Sequence, residues 1–103
     1  MELKKAAEKG DVTELTKLIK RNPKDVNYID GYKQTPLFYG CWKGHLPVVK
    51  LLIAKNAKID AEDKSKNTPL HYAAACGHLE VIKFLVLEQQ ANIHAVDALK
   101  KLL

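Results

Sequence analysis

Thr68-Pro69-Leu70-His71-Tyr72-Ala73 decides the reading of this chain, because its first three residues already occur as Thr35-Pro36-Leu37, 33 residues earlier. Two further blocks keep that register. Gly44-His45-Leu46 returns as Gly77-His78-Leu79, and Val48-Val49-Lys50-Leu51-Leu52 returns as Val81-Ile82-Lys83-Phe84-Leu85. Three blocks at one offset mark an internal repeat, a single supersecondary unit copied along the chain.

Each block has a physical task. The threonines can cap a helix through the hydroxyl, and the prolines fit the first helical position, where no N–H is missed. A short helix is therefore predicted over 35–43 and again over 68–76. Gly44 and Gly77 stand where that helix must stop, in a left-handed conformation that glycine accepts. A second helix is predicted over 47–54 and 80–88. Val48, Val49, Leu51 and Leu52 fall on one face of it at helical spacing, with Lys50 turned outward. Pro47 sits in its first turn, where proline is tolerated. Neither helix is long enough to be stable alone. Each must bury its face against its partner and the neighbouring pair, so the units stack.

The first thirty residues fit a weaker copy. Leu3, Ala6, Ala7 and Gly10 align with Leu37, Gly40, Cys41 and Gly44 at an offset of 34, and Val12, Leu15, Leu18 and Ile19 supply the second helix. Thr-Pro is absent there and lysine abundant, as suits a terminal cap facing solvent. Asp25-Val26-Asn27, Ala57-Lys58-Ile59-Asp60 and Ala91-Asn92-Ile93-His94 link the units, each carrying one β-branched residue in a short extended segment.

Thr68 to Ala73 matches, without a change, the Thr-Pro-Leu-His-x-Ala signature of ankyrin repeats, and the chain resembles that family over nearly its whole length. The resemblance implies an all-α fold, a solenoid of stacked antiparallel helix pairs joined by β-hairpin-like loops. It divides a single domain, 1–103, into a divergent first repeat (1–30), a second (31–63), a third (64–96) and the start of a capping or truncated repeat (97–103). The family's tip glycine is replaced by Lys33 and Lys66. A lysine held at positive φ costs about 1–2 kcal/mol, and Gly31 offers another place for the turn. Asn56 stands where glycine usually follows the second helix, and asparagine tolerates that conformation. Ala57 and Ala91 are 34 apart, one more than the repeat, which predicts a local bulge near Glu88-Gln89-Gln90.

Composition narrows the function. With 103 residues, 47% hydrophobic and 28% charged, the chain makes one globular unit. No apolar run approaches the ~18 residues of a membrane span, and Met1-Glu2-Leu3-Lys4-Lys5 lacks the apolar stretch of a secretory signal. Two cysteines, Cys41 and Cys76, make no disulfide framework, so an intracellular, reducing compartment (cytoplasm or nucleus) is expected. Net charge is +5, from 17 lysines and arginines against 12 acids, mixed along the chain, which leans toward acidic partners. Cys41 with His45 and Cys76 with His78 lack the paired spacing of a closed zinc site. No glycine cluster makes a phosphate loop, and Glu62-Asp63 in a tip loop reads as solvated rather than as an acid–base pair. No catalytic residue, cofactor, metal or small-molecule substrate is expected.

The resemblance further implies that another protein is held on the concave face, by hairpin tips and exposed positions of each first helix. On this sequence the tips contribute Tyr32, Gln34, Lys64, Ser65 and Asn67. The first helices contribute Lys5, Glu8 and Lys9, then Tyr39, Trp42 and Lys43, then Tyr72, Ala75 and Cys76. The second unit stands out for its aromatics, which make hot spots when exposed. The competing expectation is that Tyr39 and Tyr72 pack on neighbouring helices with wet hydroxyls; Trp42 is less easily a core residue, since Ala75 fills its site one unit on. His71 is expected to bond nearby backbone, His45 and His78 to be equally structural, and Cys41 to fill a small buried site. A second functional class, binding of nucleic acid or an acidic membrane surface, would use Lys4, Lys5, Lys9, Lys33, Lys43, Lys64 and Lys66, against twelve acids and a single arginine. Asn27 matches a linker asparagine that intracellular hydroxylases modify in this family. An apolar face near Phe84, Leu85 and Leu99 could give weak self-association.

Overall fold

The computed structural model describes residues 2–89. Over that range the chain forms six α-helices: α1 (Glu2–Lys9), α2 (Val12–Arg21), α3 (Pro36–Lys43), α4 (Leu46–Ala54), α5 (Pro69–Ala75) and α6 (Leu79–Lys83). A 3₁₀ turn, Pro23–Asn27, follows α2, and α6 runs on into a π-helical turn, Phe84–Glu88. No strand occurs among the described residues. The expected fourth unit from Asp97, and Leu99 with it, lie outside them.

Gly10-Asp11 and Gly44-His45 are the whole links between α1 and α2 and between α3 and α4, so each pair must fold back on itself. Asp11 caps α2, its Oδ1 accepting from the Glu14 N–H at 3.0 Å. Gly44 ends α3 at φ 73°, and its N–H bonds back to Cys41 and Gly40 carbonyls. First helices then stack on first helices: α1 on α3, α3 on α5. Second helices stack behind them, α2 on α4 and α4 on α6.

A continuous core fills the space between the two rows. Leu37, Phe38 and Cys41 of α3, Val48, Val49 and Leu52 of α4, and Leu15, Val81 and Leu85 of the flanking second helices are all sealed from water. Burying one such side chain is worth about 1.5–3 kcal/mol, which is how helices of five to ten residues persist. Leu85 therefore belongs to the core and not to an exposed face; the bare apolar residues at this end are Leu79 and Leu87.

The units are pinned to one another by histidine. His45 Nε2 donates to the Glu8 carbonyl at 2.9 Å, and His78 Nε2 donates to the Trp42 carbonyl at 2.7 Å. Each imidazole lies on the stop glycine of the preceding unit. A Cβ on Gly10 would stand 2.9 Å from the His45 ring, and one on Gly44 2.4 Å from the His78 ring. His71 has a local task. Its Nδ1 accepts from the Thr68 N–H at 2.8 Å and faces the Thr68 hydroxyl at 2.9 Å.

The structure departs from the sequence reading in two places here. Thr35 does not cap α3 through its hydroxyl: its Oγ1 is buried with no partner among the described residues. Phe38 occupies the place that His71 holds in the next unit, so no imidazole is there to meet it. The extra residue of the third unit, expected as a bulge near Glu88-Gln89-Gln90, shows as a widened helical turn over Phe84–Glu88. The Gln89 N–H bonds the Phe84 carbonyl five residues back at 3.1 Å, the widened turn that one inserted residue produces.

Candidate functional site

Tip geometry comes first, because it sets the floor of the site. The turn Asp30–Gln34 is closed by Asp30 N–H to the Gln34 carbonyl (3.0 Å) and Lys33 N–H to the Asp30 carbonyl (3.0 Å). Asp63–Asn67 repeats it, with Asp63 N–H to the Asn67 carbonyl and Lys66 N–H to the Asp63 carbonyl, both 2.9 Å. Lys33 and Lys66 take φ of 61° and 63°, so the lysines do stand in the left-handed position, and Asn56 does so at 74°. Gly31 does not move the turn. Adjacent tips are joined by the Lys64 N–H to the Tyr32 carbonyl at 3.1 Å.

The aspartate at the root of each tip organises it. Asp30 Oδ1 accepts from the Tyr32 N–H (2.9 Å) and the Gln34 N–H (3.0 Å), and Oδ2 accepts from the Tyr39 hydroxyl. Asp63 Oδ1 accepts from Ser65 and Asn67 N–H groups, both at 2.9 Å. Its Oδ2 accepts from the Tyr72 hydroxyl and, at 3.0 Å, from Gln34 Nε2 of the preceding tip. Gln34 Nε2 also reaches the Tyr72 hydroxyl at 3.1 Å. Asp63 is only 6% exposed. The solvated reading of Asp63 is thus overturned: folding back of the tip supplies it with amide and hydroxyl donors that a linear reading does not show.

These bonds shift both partners. Burial pushes the Asp63 carboxyl up, but donation from Tyr72, Gln34, Asn67 and Ser65 outweighs it and holds the group below the ordinary aspartate value. Asp30 is lowered in the same way, against burial, by Tyr39 and the Gln34 and Tyr32 amides, with help from the Lys4 charge. Burial and the bonded carboxylates push the Tyr39 and Tyr72 hydroxyls up.

Above this floor lies a hollow of about 400 Å³. Helix α3 lines it with Phe38, Tyr39 and Trp42, α5 with Tyr72, the first tip with Tyr32 and Gln34, and α1 with Lys4 and Glu8. Tyr39 and Trp42 rings are 6.4 Å apart and tilted at 59°; Phe38 meets Tyr72 edge-on at 5.9 Å. Lys4 Nζ sits 4.7 Å from the Tyr39 ring centre and Lys43 Nζ 4.5 Å from that of Trp42, both within cation–π range.

The sequence-derived residues divide as follows. Tyr32, Gln34, Tyr39, Trp42 and Tyr72 converge on the hollow. Tyr32 (69%) and Trp42 (44%) are widely exposed. Tyr39 is a correction: it is 6% exposed, and it enters the hollow as part of its wall rather than as a free ring. Both tyrosine hydroxyls are bonded to the tip aspartates, a pairing that the competing expectation did not include. Lys43 stacks on Trp42 from outside the lining, Lys64 and Ser65 are exposed at the second tip, and Asn67 is half-buried there. Asn27 lies on the linker side, where its Nδ2 donates to the Asn56 carbonyl (3.0 Å) and its Oδ1 accepts from the Lys58 N–H (2.9 Å).

Sequence reading passes over Asp30 as a site residue, treats Asp63 as solvated, and passes over Phe38. The signal was present for the first two: Asp30 and Tyr39 recur as Asp63 and Tyr72 at the repeat offset of 33. Cys41 is sealed in the core and its thiol is pushed up by burial, while Cys76 is exposed. Among the described residues no group of three or more His, Cys, Asp or Glu could hold a metal ion, and no helix is long and apolar enough to cross a membrane.

Stacked helix pairs with bonded tips and a hollow along the row of first helices define a solenoid built from one repeated unit. A family model for ankyrin repeats, in three copies, matches residues 3–97, and the chain belongs to that family. Ankyrin repeats are in general protein–protein interaction modules. Curated relatives match over 52–60% of the chain. The mouse "Ankyrin repeat and SAM domain-containing protein 6" is 34% identical over 58 residues, covering 56% of this chain and 7% of its own. The Saccharomyces cerevisiae "Phosphate system positive regulatory protein PHO81" is 42% identical over 55 residues, 52% of this chain and 5% of its own. The rat "Cortactin-binding protein 2" is 39% identical over 62 residues, 60% and 4% respectively. The chain thus spans only 4–7% of the length of these relatives.

Proposed function

We propose that this chain is a non-catalytic adaptor, scaffold or inhibitor module that grips a partner protein on the face carrying the two tips and the first helices, with Tyr32, Trp42 and Tyr72 as its anchors. One observation carries the reading. Aromatic side chains from two successive units converge on a 400 Å³ hollow while Trp42 keeps 44% of its surface open. A ring of that size left in water by a fold that places Ala75 at the next equivalent site is unexplained by packing and suits a hot spot. The floor beneath is fixed by the Asp–Tyr bonds, so little ordering cost falls on association. Asn27 as a hydroxylation site and an intracellular compartment belong to the same reading.

The test is affinity capture from lysate with wild-type and Trp42→Ala baits side by side. Loss of a captured partner with a melting temperature within about 2 °C of wild type supports the reading. A fall of many degrees would return the ring to the core. Binding to nucleic acid or an acidic membrane surface through the lysines is the alternative, and it would collapse between low and moderate salt, whereas an aromatic-centred interface would persist.

A further inference from the structure

The hollow has a chemical preference, which rests on the reading above and goes past it. Two of its aromatic rings, Tyr39 and Trp42, are already capped by the chain's own cations. Lys4 Nζ lies 4.7 Å from the Tyr39 centre and Lys43 Nζ 4.5 Å from the Trp42 centre. An incoming ammonium or guanidinium would find these π faces taken and would meet like charge at a few ångströms. The tips beside Tyr32 carry lysines as well. Lys33 adjoins Tyr32 in the first tip, and Lys64 is tied by its N–H to the Tyr32 carbonyl at 3.1 Å. Against them stands the Glu8 carboxylate on the lining. The carboxylates of Asp30 and Asp63 are held by tip amides and tyrosine hydroxyls.

An aromatic floor inside a lysine rim fits one kind of occupant. We infer that the hollow receives a bulky apolar side chain from a partner segment that carries carboxylates on either side of it. The apolar side chain fills the space between Tyr32, Trp42 and Tyr72, displacing water from ring surface; a hollow of 400 Å³ is at the small end of the range that holds ligands, which suits one large side chain and its neighbours. The flanking carboxylates meet Lys4 and Lys43 on one side and the tip lysines on the other. Charge on the rim speeds encounter and selects the partner, while the buried ring contact supplies residence.

The experiment uses the full chain and a displayed library of random eight-residue peptides. Selected binders are resynthesised and titrated by calorimetry, which also reads the Trp42→Ala variant; for binders without tryptophan, the emission of Trp42, the chain's one tryptophan, places binding at this hollow. The expected result is enrichment of Asp and Glu around a central Phe, Leu, Ile or Trp, with binding lost in Tyr32→Ala and Trp42→Ala. Reversing the peptide's acids to lysines, or its central residue to alanine, weakens binding at least about tenfold, and Lys4→Gln with Lys43→Gln weakens it about tenfold while flattening its salt dependence. Circular dichroism of each variant confirms that it is folded. Peptides that are basic or uncharged, yet depend on Trp42, would overturn the acidic preference and leave the proposed binding face standing. No binders, or binders indifferent to both Tyr32 and Trp42, would overturn both.

Discussion

Thr35 and Thr68 are the same residue in the same turn, and one imidazole separates their energetics. Thr68 has His71 against its N–H and hydroxyl; Thr35 has Phe38, and its Oγ1 is buried unpartnered. A buried hydroxyl with no partner carries its desolvation cost without return. Thr35→Val is therefore expected to be neutral or stabilising by up to about 1 kcal/mol, whereas Thr68→Val costs about 1–2 kcal/mol. Equilibrium urea unfolding of the two variants decides it, and equal losses would show that the Thr68–His71 contact contributes nothing. Asp63 makes a second case. Its folded value lies below that of the unfolded chain, so the stability it contributes is present above the ordinary aspartate value near pH 4 and is lost as pH falls through the folded value. Asp63→Asn should cost about 1–3 kcal/mol at pH 7, and the gap from wild type should close as the pH is lowered below about 4. A gap that stays constant to pH ~2 would mean that the carboxylate's charge is irrelevant to the tip.

At the scale of the element, two glycines with the same dihedral part company. Gly44 and Gly77 have φ of 73° and 71°, but a Cβ on Gly44 would run into His78 at 2.4 Å while one on Gly77 meets nothing within 4 Å among the described residues. Gly77→Ala thus bears only the left-handed penalty, about 1–2 kcal/mol. Gly44→Ala adds displacement of His78 and loss of its bond to the Trp42 carbonyl, for about 3 kcal/mol in all. Similar losses in the two variants, read from denaturant midpoints, would disprove the histidine bracket between units. The tips allow the opposite change. Lys33→Gly and Lys66→Gly should each stabilise by about 0.5–1 kcal/mol, the left-handed cost of lysine less the chain entropy of glycine. Much of this element structure was legible beforehand. The Thr-Pro-Leu and Gly-His-Leu blocks placed both helices to within a residue or two, and the lysines before Thr-Pro marked the tips, with Gly31 as a rival for the turn that the structure does not use. The Asp–Tyr bonds were not, because a carboxylate beside Glu62 and a lysine-rich tip reads as surface until the turn folds its amides onto it. Burial of Tyr39 was legible only as the competing expectation, and the pairing of its hydroxyl with Asp30, nine residues back in the tip, was not.

Across the whole molecule the question is whether the units open singly or together. Helix α3 lies between α1 and α5 and carries Cys41 sealed against α4, while Cys76, the other thiol, is exposed at the end of α5. Burial pushes the Cys41 thiol up and keeps its thiolate scarce, so it reacts only after α3 parts from its neighbours. A small aromatic disulfide reagent should label Cys76 at once and Cys41 slowly, and Cys76→Ser leaves only the slow phase. In that background, changes placed in a different unit become informative. Thr68→Val touches nothing in the second unit's own core, yet if the stack opens as one body it should speed Cys41 labelling about tenfold for each 1.4 kcal/mol it costs globally. The physical ground is that no helix among the described residues exceeds ten residues, so each draws its stability from the faces it shares with the next pair. Cys41 labelling that is unmoved by Thr68→Val, while the global unfolding midpoint drops, would show that the second unit opens by itself and that the row is less cooperative than its continuous core implies.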